Sequence, residues 1–338
     1  MTSSPFVDLT GCWESLNMKY ATLEGLDIKL SCIGFGGEQL GGYRWGKTSE
    51  IQMVKAIRKA MDSGISIFDT APIYGLGHSE EVLGRTLGAD RKNVIIATKA
   101  GYVWGKNAIL RKASPNSPIE KFADSSPVNI NREIEESLKR LKTDYIDLYQ
   151  IHEPDPNTPI EDTLLAMEKL KLSGKIRCIG CCNFSLELLK ESLKYGNVET
   201  IQIPYSLIDR KAERDLLPFC RQNNIAVLVY SPLARGLLTG KYDRNTKFGL
   251  DDHRSRSGDE YFHGEAFLKN LEVLERVKFV AKKLNKTPTQ IGLRWVLENP
   301  CVTTAIFGAK NVAQVEKNIV ASDFALSKED IEFLNKDM

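Results

Sequence analysis

The chain has 338 residues, 42% of them hydrophobic and 27% charged, an ordinary globular composition with enough length for a large core. Its 46 Lys and Arg against 44 Asp and Glu give no basic footprint for nucleic acid or an anionic membrane. No apolar run approaches the roughly 18 residues a membrane span needs, so neither partner is expected.

Met1 to Trp13 lacks the basic and apolar regions of a secretory signal, which makes a cytoplasmic location the expectation. The seven cysteines are irregularly spaced and read as free thiols rather than a disulfide framework. Cys178-Ile-Gly-Cys181 spells C-x-x-C inside a strand-like run. Side chains three apart in a strand point to opposite faces, and no H-E-x-x-H occurs, so no metal site is expected.

Residues 1–19 carry weak signals. Tyr20 to Leu30 reads as a hairpin turning at Glu24-Gly25, and Leu30 to Gly34 as a first buried strand that enters the glycine-rich 35–42. Thr48 or Ser49 caps a helix with Ile51, Val54, Ile57 and Met61 on one stripe, stopped by Gly64. A second strand, Ile65 to Asp69, turns through Pro72 and presents Tyr74. Ser79 then caps a short helix to Leu87, with Glu80 and Glu81 at its positive end. Val94 to Lys99 is the third strand and 101–125 a long loop. Ser126-Pro127 opens the next helix as N-cap and N1, with Ile134, Leu138 and Leu141 in register.

Tyr145 to His152 follows as a strand, then a helix from Pro159 to Ser173 closed by Gly174. The remaining strands are Ile176 to Cys182, Thr200 to Ile203, Ala226 to Tyr230 and Val302 to Phe307. They are separated by helices at 185–195, 212–223, 265–284 and 288–298. A polar loop spans 242–263, and two further helices, 311–321 and 327–336, end the chain. Eight strands alternating with helices in about 290 residues predict a closed (β/α)8 TIM barrel. It carries an N-terminal β-hairpin and extra C-terminal helices, and residues 1–338 are expected to form one barrel domain. A doubly wound sheet is disfavoured, because no G-x-G-x-x-G follows the first strand and Gly75-Leu-Gly77-His-Ser-Glu80 only half-resembles it.

In a barrel, chemistry sits at the C-terminal strand ends. Period-two alternation lets Asp69, Lys99 and His152 point inward on three consecutive strands, with Tyr74 on the loop above them. A free tyrosine ionises near pH 10. An ammonium beside it favours the phenolate, so Lys99, held by Asp69, is expected to lower the pKa of Tyr74. Tyr74 then protonates a carbonyl oxygen that His152 orients. The competing reading is a buried ion pair with a tyrosine packed upon it.

These residues lie in blocks that resemble the aldo-keto reductase family. Phe68-Asp-Thr-Ala-Pro-Ile-Tyr-Gly-Leu-Gly-His-Ser-Glu80 is similar to the segment holding that family's catalytic Asp and Tyr. Thr98-Lys99 is similar to its lysine segment, and Asp144-Tyr-Ile-Asp-Leu-Tyr-Gln-Ile-His152 to its histidine strand. Gly174 to Phe184 and Ile306-Phe-Gly-Ala-Lys310 match two more blocks, within a resemblance running from Cys32 to Asn318. It implies NAD(P)(H)-dependent carbonyl reduction or alcohol oxidation, with Tyr74, Asp69, Lys99 and His152 catalytic.

The resemblance further implies where the cofactor lies. Gly37, Asp69 and Cys182 border it, Asn183 and Gln202 hold the nicotinamide carboxamide, and Tyr230 stacks on the ring. Ser231, Pro232, Leu233, Arg235, Gly236 and Lys241 wrap the pyrophosphate. Gly308 and Lys310 precede the last barrel helix, where Lys310 reads a 2′-phosphate and makes NADP(H) the expected cofactor over NAD(H). Gln314 and Asn318 contact the adenine, and Arg254 or Arg256 adds to the clamp.

Two departures stand out. Cys182 occupies a position where the family usually has Ser, which weakens one nicotinamide hydrogen bond. Glu153 follows His152 where many relatives are apolar, so the substrate mouth is expected to be more polar. Trp45 and Trp104 are candidates to line that mouth, for a small carbonyl or sugar-like substrate. The same four residues serve a polyol or aldose dehydrogenase working in the oxidative direction. They also occur in the related potassium-channel β subunits, where the fold serves a cofactor-binding regulatory subunit.

Overall fold

Eight apolar runs close into a parallel barrel: β1 (Ile33–Gly36), β2 (Ile67–Asp69), β3 (Ile95–Ala100), β4 (Ile146–Ile151), β5 (Ile176–Cys182), β6 (Thr200–Pro204), β7 (Ala226–Tyr230) and β8 (Thr304–Gly308). Each strand pairs with its sequence neighbours, and β8 pairs with β1 to complete the ring. This computed structural model describes residues 6–7, 18–42, 49–104, 121–249, 252–255 and 261–336. The closed ring excludes the doubly wound alternative.

Alternation divides the strand residues between two cores. Ile67, Ile95, Ala97, Leu148, Cys178, Leu228 and Ile306 fill the barrel interior. Phe68, Ile96, Tyr149, Ile179, Ile201 and Val227 face the surrounding helices. Each such side chain, fully buried, contributes about 1.5–3 kcal/mol. Cys178 lies in the inner cluster and Cys181 in the outer one, so the C-x-x-C thiols do face opposite ways. Among the described residues the cysteines are free, and no three His, Cys, Asp or Glu gather as metal ligands.

The hairpin forms as expected, Tyr20–Ala21 pairing antiparallel with Leu30–Ser31, and it closes the N-terminal end of the barrel. Leu23 and Leu30 join the inner cluster, and the Cys178 thiol donates to the Glu24 carbonyl at 3.4 Å. Two expectations change here. Phe6–Val7, in the weakly signalled N-terminus, adds a third strand beside Tyr20–Ala21. Leu30–Ser31 belongs to this small sheet, so the first barrel strand begins only at Ile33.

The helices are α1 (Glu50–Asp62), α2 (His78–Leu87), α3 (Pro127–Leu141), α4 (Ile160–Leu172), α5 (Leu186–Ser192), α6 (Leu216–Gln222), α7 (Gly264–Lys283), α8 (Pro288–Glu298), α9 (Val312–Ile319) and α10 (Lys328–Asn335). Ser126, Ser185, Asn311 and Ser327 cap α3, α5, α9 and α10 through their side chains, and Thr287 with Gln290 forms a capping box on α8. On α1 the buried face is Met53, Ala56, Ile57 and Ala60, whereas Ile51 is 70% exposed, so the expected stripe is rotated. The apolar content of Ile51 pulled that stripe off the true face. The loop after β3 is partly ordered, with Tyr102–Trp104 pairing antiparallel with Lys121–Ala123. No helix among the described residues is long and apolar enough to cross a membrane.

Candidate active site

The C-terminal rim of the barrel gathers the residues that alternation directed inward. Lys99, only 1% exposed, donates to both carboxylate oxygens of Asp69 at 2.8 Å and to the Thr70 carbonyl at 2.9 Å. An ammonium this deeply buried requires such pairing to remain charged. Its nitrogen also lies 3.3 Å from the Tyr74 phenol oxygen. Gln202, on β6, donates through Nε2 to Asp69 at 2.8 Å, leaving its carbonyl oxygen for another partner. Asp69 is therefore an anchor for two neighbours.

His152 follows β4 and donates its backbone N–H to Ala100 at 2.8 Å. Its ring meets Tyr74 edge-on, centroids 5.9 Å apart, and Tyr102 at 4.8 Å. Tyr102 sits three residues past Lys99 on the ordered part of a segment read as plain loop, and period and motif alone did not single it out. It hydrogen-bonds Glu153. Glu153 in turn accepts from Asn183 Nδ2 at 2.9 Å. Trp104 shares the half-buried face of the strand with Tyr102, while Trp45 lies outside the described residues.

The phenol of Tyr74 contradicts one expectation. Burial, then the carboxylates of Asp69 and Glu38, push its pKa well above the ordinary value near 10, not below it. The physical reason is desolvation: taking the phenolate out of water costs most, and the negative charge of Asp69 adds to that cost. Tyr74 holds its proton through the neutral range.

Asn183 carries its own backbone strain, with φ of 61°, where side-chain amides are tolerated better than most. Its Nδ2 donates to the His152 carbonyl at 3.2 Å as well as to Glu153, and its Oδ1 accepts from the Tyr230 hydroxyl at 2.9 Å. Cys182, buried at the end of β5, lies with its sulfur 3.8 Å from Gln150 Oε1. Gln150 Nε2 is buried without a partner inside the protein, as is Oε1 of Gln39 near Gly308. Gly37 donates to the Asp69 carbonyl at 2.7 Å, and a Cβ there would lie 2.8 Å from that oxygen.

After β7 the chain turns through positive φ at Ser231 (50°), Ala234 (48°), Arg235 (55°) and Gly236 (95°). Within it the Ala234 N–H donates to the Ser231 carbonyl at 2.9 Å and the Gly236 N–H to Leu233 at 3.0 Å, which holds the turn tight. Pro232 is buried within the turn and Leu233 packs toward Gly292. Arg235 is exposed, its guanidinium 5.4 Å from the Tyr261 ring. Lys310, half-buried beyond β8, has its ammonium pKa lowered by burial first and then by Arg254 and Lys241. Those cations thus converge on one place. Arg254 is chelated by Asp252, its Nε donating at 2.8 Å, and Arg256 is not among the described residues.

Gln314 accepts from the Lys310 backbone N–H at 2.8 Å, and Asn318 is buried on α9. Asn183 bonds Tyr230 at the entry to the 231–236 turn, and Arg254, beside Gly236, acts with Lys241 on Lys310. The Gln202 carbonyl oxygen left open beside Asp69 and the cations clustered around Lys310 fit a nicotinamide dinucleotide.

Ser79 departs from its expected role. The N-cap of α2 is Gly77, at φ of 94°, and Ser79 bonds inward to Gly37 and Thr70 instead. Glu80 lies in the first turn of α2 as expected, and it is fully buried there. Arg140 donates to it at 2.6 Å, and the Arg140 stem fills the space beside Gly77. Gly75 and Gly77 thus sit at close approaches, to Gly41 and to the Arg140 stem.

Comparison with known proteins agrees with this geometry. The aldo/keto reductase family model matches residues 32–336. The aldo-keto reductase YhdN of Bacillus subtilis (strain 168) is 38% identical over 321 residues, covering 94% of this chain and 93% of that protein. The NADH-specific methylglyoxal reductase of Escherichia coli (strain K12) is 36% identical, covering 93% and 96%. The structure of the glycerol dehydrogenase AKR11B4 from Gluconobacter oxydans superposes with a TM-score of 0.84 at 36% identity, covering 94% of each chain.

Proposed function

This chain belongs to the aldo/keto reductase family, and on that premise we propose that it is an NADPH-dependent reductase of a small aldehyde or ketone, with Tyr74 as the proton donor. The observation that carries the reading is the buried set at the barrel mouth: Tyr74 within 3.3 Å of Lys99, which Asp69 holds at 2.8 Å. A bound nicotinamide supplies the hydride to the carbonyl carbon. Every other part of the reaction falls to side chains of this chain.

Tyr74 donates its proton to the carbonyl oxygen as negative charge develops there. The alkoxide formed is a stronger base than any tyrosinate, so even a raised phenol pKa leaves that transfer downhill. Lys99 stabilises the phenolate left behind, and Asp69 keeps Lys99 charged and in place. His152, its ring edge on both Tyr74 and Tyr102, orients the carbonyl oxygen beside the phenol. Asn183 and Gln202 would hold the carboxamide, Tyr230 would support the ring, and the turn at 231–236 would take the pyrophosphate. Lys310, with Lys241 and Arg254, would receive a 2′-phosphate.

Oxidation requires the Tyr74 phenolate as base, so the raised phenol pKa predicts an oxidation rate that climbs with pH. Oxidation of a polyol is the second reading, supported by the likeness to the Gluconobacter oxydans glycerol dehydrogenase. A cytoplasmic location accompanies both. The test is NADPH consumption across a panel of aldehydes, ketones, sugars and keto-sugars. Turnover on a carbonyl substrate supports the proposal, and tight cofactor binding with negligible turnover on all of them would sink it.

A further inference from the structure

The loop that carries Tyr74 leaves β2 at Asp69 and enters α2 at His78, and its helix-side flank is tied down by residues outside the proton path. There Ser79 donates to the Gly37 carbonyl at 2.7 Å and shares a 2.7 Å hydrogen bond with Thr70. Beside Ser79 on the same flank, Thr98 donates to Glu80 Oε1 at 2.6 Å and Arg140 donates to Oε2 at 2.6 Å. Thr98 is the residue before Lys99 and points outward from β3 where Lys99 points in. One buried carboxylate therefore joins the helix that ends the Tyr74 loop to the strand that carries Lys99.

The surrounding packing leaves this tie little freedom. Arg140 reaches Glu80 across Gly77, where a Cβ would lie 2.5 Å from Arg140 Cδ. A Cβ on Gly41 would come within 2.6 Å of the Tyr74 carbonyl carbon, so the Tyr74–Gly75 peptide lies directly on the loop after β1. Burying an ion pair gives little net stability compared with an apolar replacement. Stability alone therefore does not account for a fully buried Glu80 here, whereas fixed geometry does.

Resting on the reading of Tyr74 as proton donor, we propose that Glu80 is a positioning residue for proton transfer. Its carboxylate, gripped by Thr98 and Arg140, sets the Tyr74 loop against β3 and keeps the phenol beside Lys99. Misplacement of a reacting group by about 1 Å costs on the order of 100-fold in rate, so a loosened tie is read in turnover.

The test is a double-mutant cycle. Glu80→Gln and, separately, Thr98→Val are introduced into the wild type and into Tyr74→Phe. For each protein kcat, carbonyl KM, NADPH Kd and Tm are measured. Glu80→Gln is expected to lower kcat about tenfold or more with NADPH Kd within about twofold, and Thr98→Val to give a smaller loss of the same kind. Neither should lower the residual kcat of Tyr74→Phe by more than about twofold, because their effect passes through the phenol.

Equal losses in both backgrounds, or a loss confined to NADPH Kd or to the folded fraction, overturn the role of Glu80. Should Glu80→Gln fail to fold, Thr98→Val carries the same cycle. Should Tyr74→Phe turn over below detection, the alkaline limb of the kcat–pH profile decides. A shift of that limb in Glu80→Gln or Thr98→Val supports the tie, and an unmoved limb overturns it. Full turnover in Tyr74→Phe alone overturns both readings, whereas low turnover there with additive losses overturns only Glu80.

Discussion

On the proposal that NADPH is the preferred cofactor, replacing Lys310 by Met should leave near-indifference between the two nicotinamide cofactors. Lys310 is half-buried, and Lys241 and Arg254 are near enough to depress its ammonium pKa, while Asp252 acts in the opposite direction. Three cations and one carboxylate leave a surplus of positive charge facing a phosphate that carries about −1.5 to −2. A unit pair at about 4 Å is worth about 4 kcal/mol at an effective dielectric near 20. Water around a half-exposed Lys310 reduces this to about 1.5–2 kcal/mol. Lys310→Met should therefore lower kcat/KM for NADPH about 10–30-fold, and for NADH by less than about twofold. Steady-state kinetics with both cofactors at low and high ionic strength provide the assay. The wild-type NADPH value should fall with salt more steeply than that of the variant. Equal losses with both cofactors, or a wild type that prefers NADH as the name of its Escherichia coli relative does, would refute the assignment.

Two further outcomes depend on pH. Because Tyr74 keeps its proton past the ordinary range, kcat for carbonyl reduction should stay level between about pH 6 and 9, while alcohol oxidation should climb with pH. Profiles of both directions on one substrate pair check this, and a reduction rate that falls across neutral pH would contradict it. Glu133, on α3, accepts from the Gly101 N–H at 2.6 Å, and burial pushes its carboxyl up to about 8. The folded state then holds a proton that the unfolded chain releases near pH 4.3, so stability falls as pH rises through the window up to about 8. Melting of Glu133→Gln should lose that slope, a difference of up to about 2–3 kcal/mol between pH 6 and 8; parallel melting profiles would count against it.

Much of the barrel was legible in the sequence because its strands are continuous apolar runs. Ile176–Cys182 and Ala226–Tyr230 have the bounds that composition indicated, and Thr287-Pro288 opened α8 as its capping chemistry required. The inward parity of Asp69 and Lys99 followed from alternation alone. Other features depended on partners distant in sequence. Ile51 is apolar yet exposed, since the barrel meets α1 along Met53, Ala56 and Ile57. The first-turn position of Glu80 was legible, but its pairing with Arg140, 60 residues away, and with Thr98 was not. The direction of the Tyr74 pKa was misjudged because motif spacing brings Lys99 near but does not measure how deeply the phenol is buried. Tyr102 was missed because a short ladder with 121–123 is invisible without its partner strand.

The central claim is that Tyr74 supplies the proton in carbonyl reduction. Its most direct test is Tyr74→Phe, with NADPH affinity by fluorescence titration and kcat by NADPH consumption measured on the same preparation. The account predicts an NADPH Kd within about twofold of wild type and a kcat lower by about 100-fold or more. A variant that binds NADPH normally and turns over at close to the wild-type rate would contradict it.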